Sequence, residues 1–161
     1  MKIKMILAIL MILVVSIAVN GQNKYENKQS IKDVVSIKQN TNLVNDYLKE
    51  GNRLFNKNEF GKAIIKYEMA IELDPFNPNS YAYMGLSKLN LKDFEGALKD
   101  FDNALNLMPN YAEVFYLRGI VKDEINKRDK ACEDWKKAED LGMNQAKEMI
   151  KEFCNCEVSA K

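Results

Sequence analysis

The sequence predicts an all-α fold: a stack of three helix-turn-helix units closed by a C-terminal capping helix. Three observations predict it. The first is a regular period, which aligns Gly51 with Gly85 and Gly119, and Tyr47 with Tyr81 and Phe115. The second is helical spacing inside each period. In the middle copy Tyr81, Met84 and Gly85 fall at i, i+3 and i+4, and Ala97, Phe101 and Ala104 at i, i+4 and i+7. The third is punctuation: the run Asn90-Leu91-Lys92-Asp93 separates the two helices, and Pro109 stops the second. One such pair cannot bury a core alone, so the unit requires neighbours, and the chain supplies them on both sides.

The same shift aligns Ala63, Ala97 and Ala131, then Tyr67, Phe101 and Trp135, then Ala70, Ala104 and Ala138; Pro75 matches Pro109, with Met143 in the third copy. Glycine and alanine let two helices approach closely where facing aromatic rings fill the gaps. Over roughly Leu43 to Gln145 this constellation, in its spacing and its residue types, resembles the tetratricopeptide repeat (TPR). The resemblance implies a right-handed superhelical stack whose first helices line a concave groove. The chain departs from the family pattern in places. Glu50, Met84 and Arg118 stand where leucine is usual before the glycine. Leu54, Lys88 and Lys122 stand where an aromatic is usual three positions after it, and Arg128 replaces Phe60 and Phe94.

Taken in order, the chain opens Met-Lys-Ile-Lys and is almost wholly apolar from Met5 to Val19. That run is shorter than the roughly 20 residues a membrane-spanning helix needs. A basic start, a short apolar run and small residues describe a secretory signal peptide over 1–21, with Val19 and Gly21 at the cleavage site; the alternative is an uncleaved anchor. The expected protein is exported, periplasmic or secreted, with no stable membrane insertion after cleavage. Losing Lys2 and Lys4 leaves 22 basic and 23 acidic residues, a net −1, which favours neither nucleic acid nor an anionic membrane surface. Residues 22–42 read as a polar linker with one apolar patch at Val34, Val35 and Ile37. An alternative is that the patch docks in the repeat groove.

The units follow at 43–77, 78–111 and 112–145. Their expected helix pairs are Leu43–Asn56 with Phe60–Leu73, Asn79–Leu89 with Phe94–Leu107, and Ala112–Ile125 with Arg128–Leu141. Over 146–161, Ala146, Met149, Ile150 and Phe153 form one apolar face and charged residues the other, which suits a capping helix and tail.

Catalytic chemistry is hard to place on this chain. It has no histidine, hence no Ser-His or Cys-His nucleophile pair, and it has no phosphate-cradling glycine motif. The reading is a non-enzyme with no cofactor. The three cysteines carry more meaning, because export implies an oxidising compartment. Cys132 holds the repeat position of Ile64 and Leu98, which in TPR stacks faces the next element, here the capping helix. A Cys132–Cys154 bridge would staple the cap to the stack, with Cys132–Cys156 the competing pairing.

The family's groove positions map onto Leu48, Asn52 and Phe55 in the first copy, Ala82, Leu86 and Leu89 in the second, and Tyr116, Ile120 and Asp123 in the third. These form an apolar stripe of the kind that marks a partner surface, though packing between adjacent repeats would use the same side chains. TPR domains that clamp the carboxylate of a chaperone tail use Lys, Asn, Asn, Lys and Arg. Here those positions hold Leu48, Asn52, Tyr83, Glu113 and Leu117, so the clamping charge is missing. The third copy and cap also resemble the endings of small secreted TPR proteins of Bacteroidetes-type bacteria. The leading expectation is an exported adaptor that binds a peptide or protein segment in its groove. Second is a homo-oligomeric, self-associating subunit of an envelope assembly, and a distant third is a thiol-redox protein acting through Cys154 and Cys156.

Overall fold

The computed structural model describes residues 38–154, and every regular element among them is helical. The first helix, α1, occupies 38–55 of the described chain. It is followed by α2 (Phe60–Leu73), α3 (Pro78–Asn90), α4 (Phe94–Leu107), α5 (Ala112–Glu124) and α6 (Arg128–Asp140). A short α7 (Gln145–Met149) runs directly into a π-helical turn, Ile150–Cys154. The expected stack of three pairs and a cap is therefore present, with α2 and α4 at the expected bounds. The helices α3, α5 and α6 differ from the expected bounds by one residue at one or both ends, and α1 ends one residue earlier than expected. Residues 38–42, assigned to the linker, are helical, and the cap starts at Gln145 instead of 146. The signal segment, the apolar patch of the linker and Cys156 lie outside the described residues.

Local chemistry explains the helix ends. Asn77 caps α3 by accepting from the backbone N–H of Asn79 (3.0 Å) and Ser80 (3.3 Å), with Pro78 at the first helical position, where no N–H is needed. Asp93 caps α4 by accepting from Gly96 N–H at 3.0 Å. Each first helix ends the same way. Asn58, Lys92 and Asn126 occupy the same place in successive copies, with φ of 60°, 60° and 59°. The N–H after each reaches back across the turn, from Glu59 to Leu54, Asp93 to Lys88 and Lys127 to Lys122, at 3.0, 2.9 and 2.8 Å. This left-handed closure reverses the chain tightly enough to lay the second helix against the first.

The packing follows the period. Ala63, Ala97 and Ala131 are fully buried, as are the following alanines Ala70, Ala104 and Ala138. Tyr67, Phe101 and Trp135 lie beneath the glycines. A Cβ on Gly85 would sit 2.8 Å from Phe101 Cε1, and one on Gly119 would sit 2.6 Å from Trp135 Cδ1. Between pairs, α2 packs on α3 and α4 on α5, while α6 meets the cap. Met149, Ile150 and Phe153 pack against the Trp135 cluster, and Ala146 is fully buried in it. Cys132 and Cys154 form a disulfide with a Cα–Cα separation of 5.7 Å. No helix among the described residues is long and apolar enough to cross a membrane.

Candidate functional site

The nine groove positions do not share one environment. Asn52, Phe55 and Leu86 meet at a cleft of about 250 Å³ between α1 and α3, completed by Asn56, Tyr67 and Tyr83. Leu48 packs beside it against the Leu54–Tyr67–Met84 cluster. Ala82 is 5% exposed, inside the middle core with Phe101, Val114 and Val121, and so does not belong to an accessible stripe. Leu89 packs against that same core. Tyr116 and Ile120 pack against Trp135 and its neighbours, and the Tyr116 carbonyl accepts from Trp135 Nε1 at 3.2 Å. Asp123 is paired with Arg128, Nε to Oδ1 at 2.8 Å.

The cleft has a definite polar arrangement. Tyr67 O–H donates to Asn52 Oδ1 at 2.7 Å. Burial, helped by neighbouring Tyr83, pushes the Tyr67 phenol up to about 12, so it remains a donor at neutral pH. The amide oxygen of Asn52 thereby accepts from Tyr67, which fixes the orientation of an amide at the cleft wall. The Tyr67 and Tyr83 rings lie 5.8 Å apart at an interplanar angle of 33°. Aromatic faces, one leucine and two amides line the space, and no charged side chain does.

Sequence reasoning treated Tyr67 only as a core aromatic and did not single out Asn56. A signal was available: Asn52 aligns with Leu86 and Ile120, and Tyr67 with Phe101 and Trp135. Only the first copy therefore pairs an amide with a phenol at these two positions, and the two hydrogen-bond each other.

A second polar feature repeats. Lys88 Nζ lies 2.7 Å from Asp100 Oδ2, and Lys122 Nζ lies 2.6 Å from Asp134 Oδ2. Arg118 forks onto Asp134 (2.9 and 2.7 Å) and reaches Asp102 at 2.6 Å. Asp100 and Asp134 are 3% and 4% exposed, too buried to be surface charges. The Lys88–Asp100 contact is an ion pair without good hydrogen-bond alignment, which leaves Oδ2 short of a donor. Burial consequently raises the Asp100 carboxyl above the usual range despite Lys88. Around Arg118 burial works against the charge, but Asp134 and Asp102 outweigh it and its pKa lies above the ordinary value. Among the described residues no group of three metal-ligating side chains occurs.

The fold is that of TPR domains. The first TPR domain of Spaghetti (RPAP3), solved bound to the HSP90 peptide SRMEEVD, matches with a TM-score of 0.68 and 23% identity over 70% of this chain and 91% of that one. The Arabidopsis OM64 TPR domain matches with a TM-score of 0.68 and 23% identity, covering 71% of this chain and 96% of its own. PcrH in complex with the chaperone-binding region of PopD matches with a TM-score of 0.68 at 13% identity, over 71% and 92%. At these identities the likeness establishes architecture alone. Neither a protein-family model nor a curated protein matches the chain.

Proposed function

We propose that this protein is an exported interaction module that binds an uncharged stretch of a peptide or protein segment at the cleft between α1 and α3. The observation that carries the reading is the cleft itself: two adjacent tyrosine rings, Phe55 and Leu86 for apolar contact, and an Asn52 amide at its wall whose oxygen is held by Tyr67. An amide suits the polar backbone of an extended segment, while the aromatic faces take apolar side chains. The peptide and protein segments seen on the Spaghetti domain and PcrH support the use of this architecture for segment binding. The chemistry of recognition differs from a chaperone-tail clamp. Of the five clamp positions, Leu48 and Leu117 pack into the cores and Glu113 is an exposed acid, so no cation stands ready for a carboxylate. Export rests on the basic start and the short apolar run from Met5 to Val19.

The test is crosslinking in the cell from a photoreactive residue at Leu86, compared with one at Lys99 on α4, away from the cleft. Capture of one envelope protein from Leu86 and not from Lys99 is the expected result. Capture of the protein itself would replace the adaptor by a self-associating subunit. Equal, diffuse labelling from both positions would remove the cleft as a binding site.

A further inference from the structure

We propose that the Cys132–Cys154 disulfide is a reducible lock: a dithiol can open it and release the terminal cap while the rest of the helical array stays folded. The bond is within reach of an attacking thiolate. Both cysteines are half-buried and form part of the wall of an open cleft of about 370 Å³, with Arg128, Asp129, Glu133, Lys136 and Phe153 around them. Arg128 and Lys136 lie one turn before and one turn after Cys132 on the same face of α6. Asp129 and Glu133 line the same wall and Arg128 is paired with Asp123, so the charge around Cys132 is mixed, and it is access to the bond that opens it to attack.

In the exchange, one thiolate of the dithiol attacks Cys154 Sγ, the Cys132–Cys154 bond breaks, and its electron pair goes to Cys132 Sγ. The second thiol of the dithiol then attacks the mixed disulfide. Cys132 and Cys154 end as thiols, two electrons and two protons richer, and the dithiol ends as a disulfide.

Besides the disulfide, the cap is held by its packing on α6. Gln145–Met149 and Ile150–Cys154 are five residues each, and Ala146 alone among them is fully buried. A helix this short is unstable without tertiary support. Its apolar contacts lie in the Trp135 cluster, and among the described residues the apolar cores around Tyr67 and Phe101 contain no cap residue. Opening the bond is thus a local event. It bares the side of α6 that corresponds to the sides of α2 and α4 covered by α3 and α5. The oxidation state of the bond decides whether that end of the stack is closed.

The experiment uses the full-length chain carrying Cys156→Ser, so that two cysteines remain, and dithiothreitol without denaturant. Trp135 is the single tryptophan and lies 5.8 Å from the Phe153 ring, so its emission reports the cap. The expected result is alkylation of both thiols and a red shift of emission. Trypsin cleavage at Lys147 or Lys151 should become at least roughly thirtyfold faster, the lower end of what a disulfide's usual contribution converts to. Helical circular dichroism should fall by no more than the cap's share. A bond that resists dithiothreitol until denaturant is added would overturn the proposal. So would reduction with unchanged emission and cleavage, or loss of helicity throughout. The same background with Cys132→Ser and Cys154→Ser should match the reduced form without any reductant; a chain that fails to fold would show a global staple instead of a lock.

Discussion

Gly119 and Gly61 show how much one methyl group depends on its place. A Cβ on Gly119 would meet the indole of Trp135, which is fully buried and holds a hydrogen bond to Tyr116. A ring so enclosed cannot yield, so overpacking outweighs the gain in helix propensity. Gly119→Ala is expected to destabilise by about 1–3 kcal/mol. Gly61, exposed near the start of α2, has nothing within 4 Å of its would-be Cβ. Gly61→Ala should stabilise by about 0.4–1 kcal/mol, by lowering the entropy of the unfolded chain. Urea unfolding of the two variants decides both signs. Equal effects would mean that the recurring glycine has no special role at the helix crossing.

Within the helix pairs, the lysines that break the family pattern are explained by their partners. Lys88 and Asp100 in the second copy correspond in position to Lys122 and Asp134 in the third, and each lysine meets its aspartate across the pair. The two pairs differ in quality, since Asp134 also receives the Arg118 fork while Asp100 pairs with Lys88. Because burial raises the Asp100 carboxyl, the folded state holds that proton to higher pH than the unfolded state does. The resulting stability is fully present below the ordinary aspartate value near 4 and is lost as pH rises through the raised folded value. Relative to Asp100→Asn, the natural chain should therefore lose stability as pH climbs from about 4, by at most about 1.4 kcal/mol per pH unit. Urea midpoints of both chains between acid and neutral pH give the slope. A difference that grows with pH would mean that pairing with Lys88 outweighs burial.

Across the whole array, Arg118 joins the second and third pairs, since it reaches Asp102 on α4 and Asp134 on α6 from α5. Repeat stacks hold together through such neighbour terms, and weakening one loosens the cooperativity between units. Arg118→Met, which installs the residue found at Met84 one copy earlier, should cost about 1.5–3 kcal/mol for the lost charged hydrogen bonds. Unfolding followed by Trp135 fluorescence should then precede unfolding followed by circular dichroism. In the natural chain the two should coincide. Coincident curves in the variant would show that Arg118 does not couple the pairs.

The fold was legible because its signal is local and repeated. Gly51, Gly85 and Gly119 with Tyr67, Phe101 and Trp135 report the helix crossings three times over, and the polar turns report the reversals. The apolar spacing of Ala146, Met149, Ile150 and Phe153 likewise marked the face by which the cap packs. The candidate site was less legible. A groove position is defined by what the next pair leaves uncovered, which no residue type states. Ala82 and Leu86 read alike as apolar members of one stripe, yet Ala82 lies in the middle core and Leu86 lines the cleft. The sequence by itself determined the period, the helices and the close approach within each pair, because small and large residues recur at fixed spacing. Tertiary structure alone decided that Tyr67 orients Asn52, that Lys88 and Lys122 meet buried carboxylates, and that Cys132 pairs with Cys154. Each of those depends on side chains from two elements arriving at one point in space, a distance that spacing along the chain does not contain.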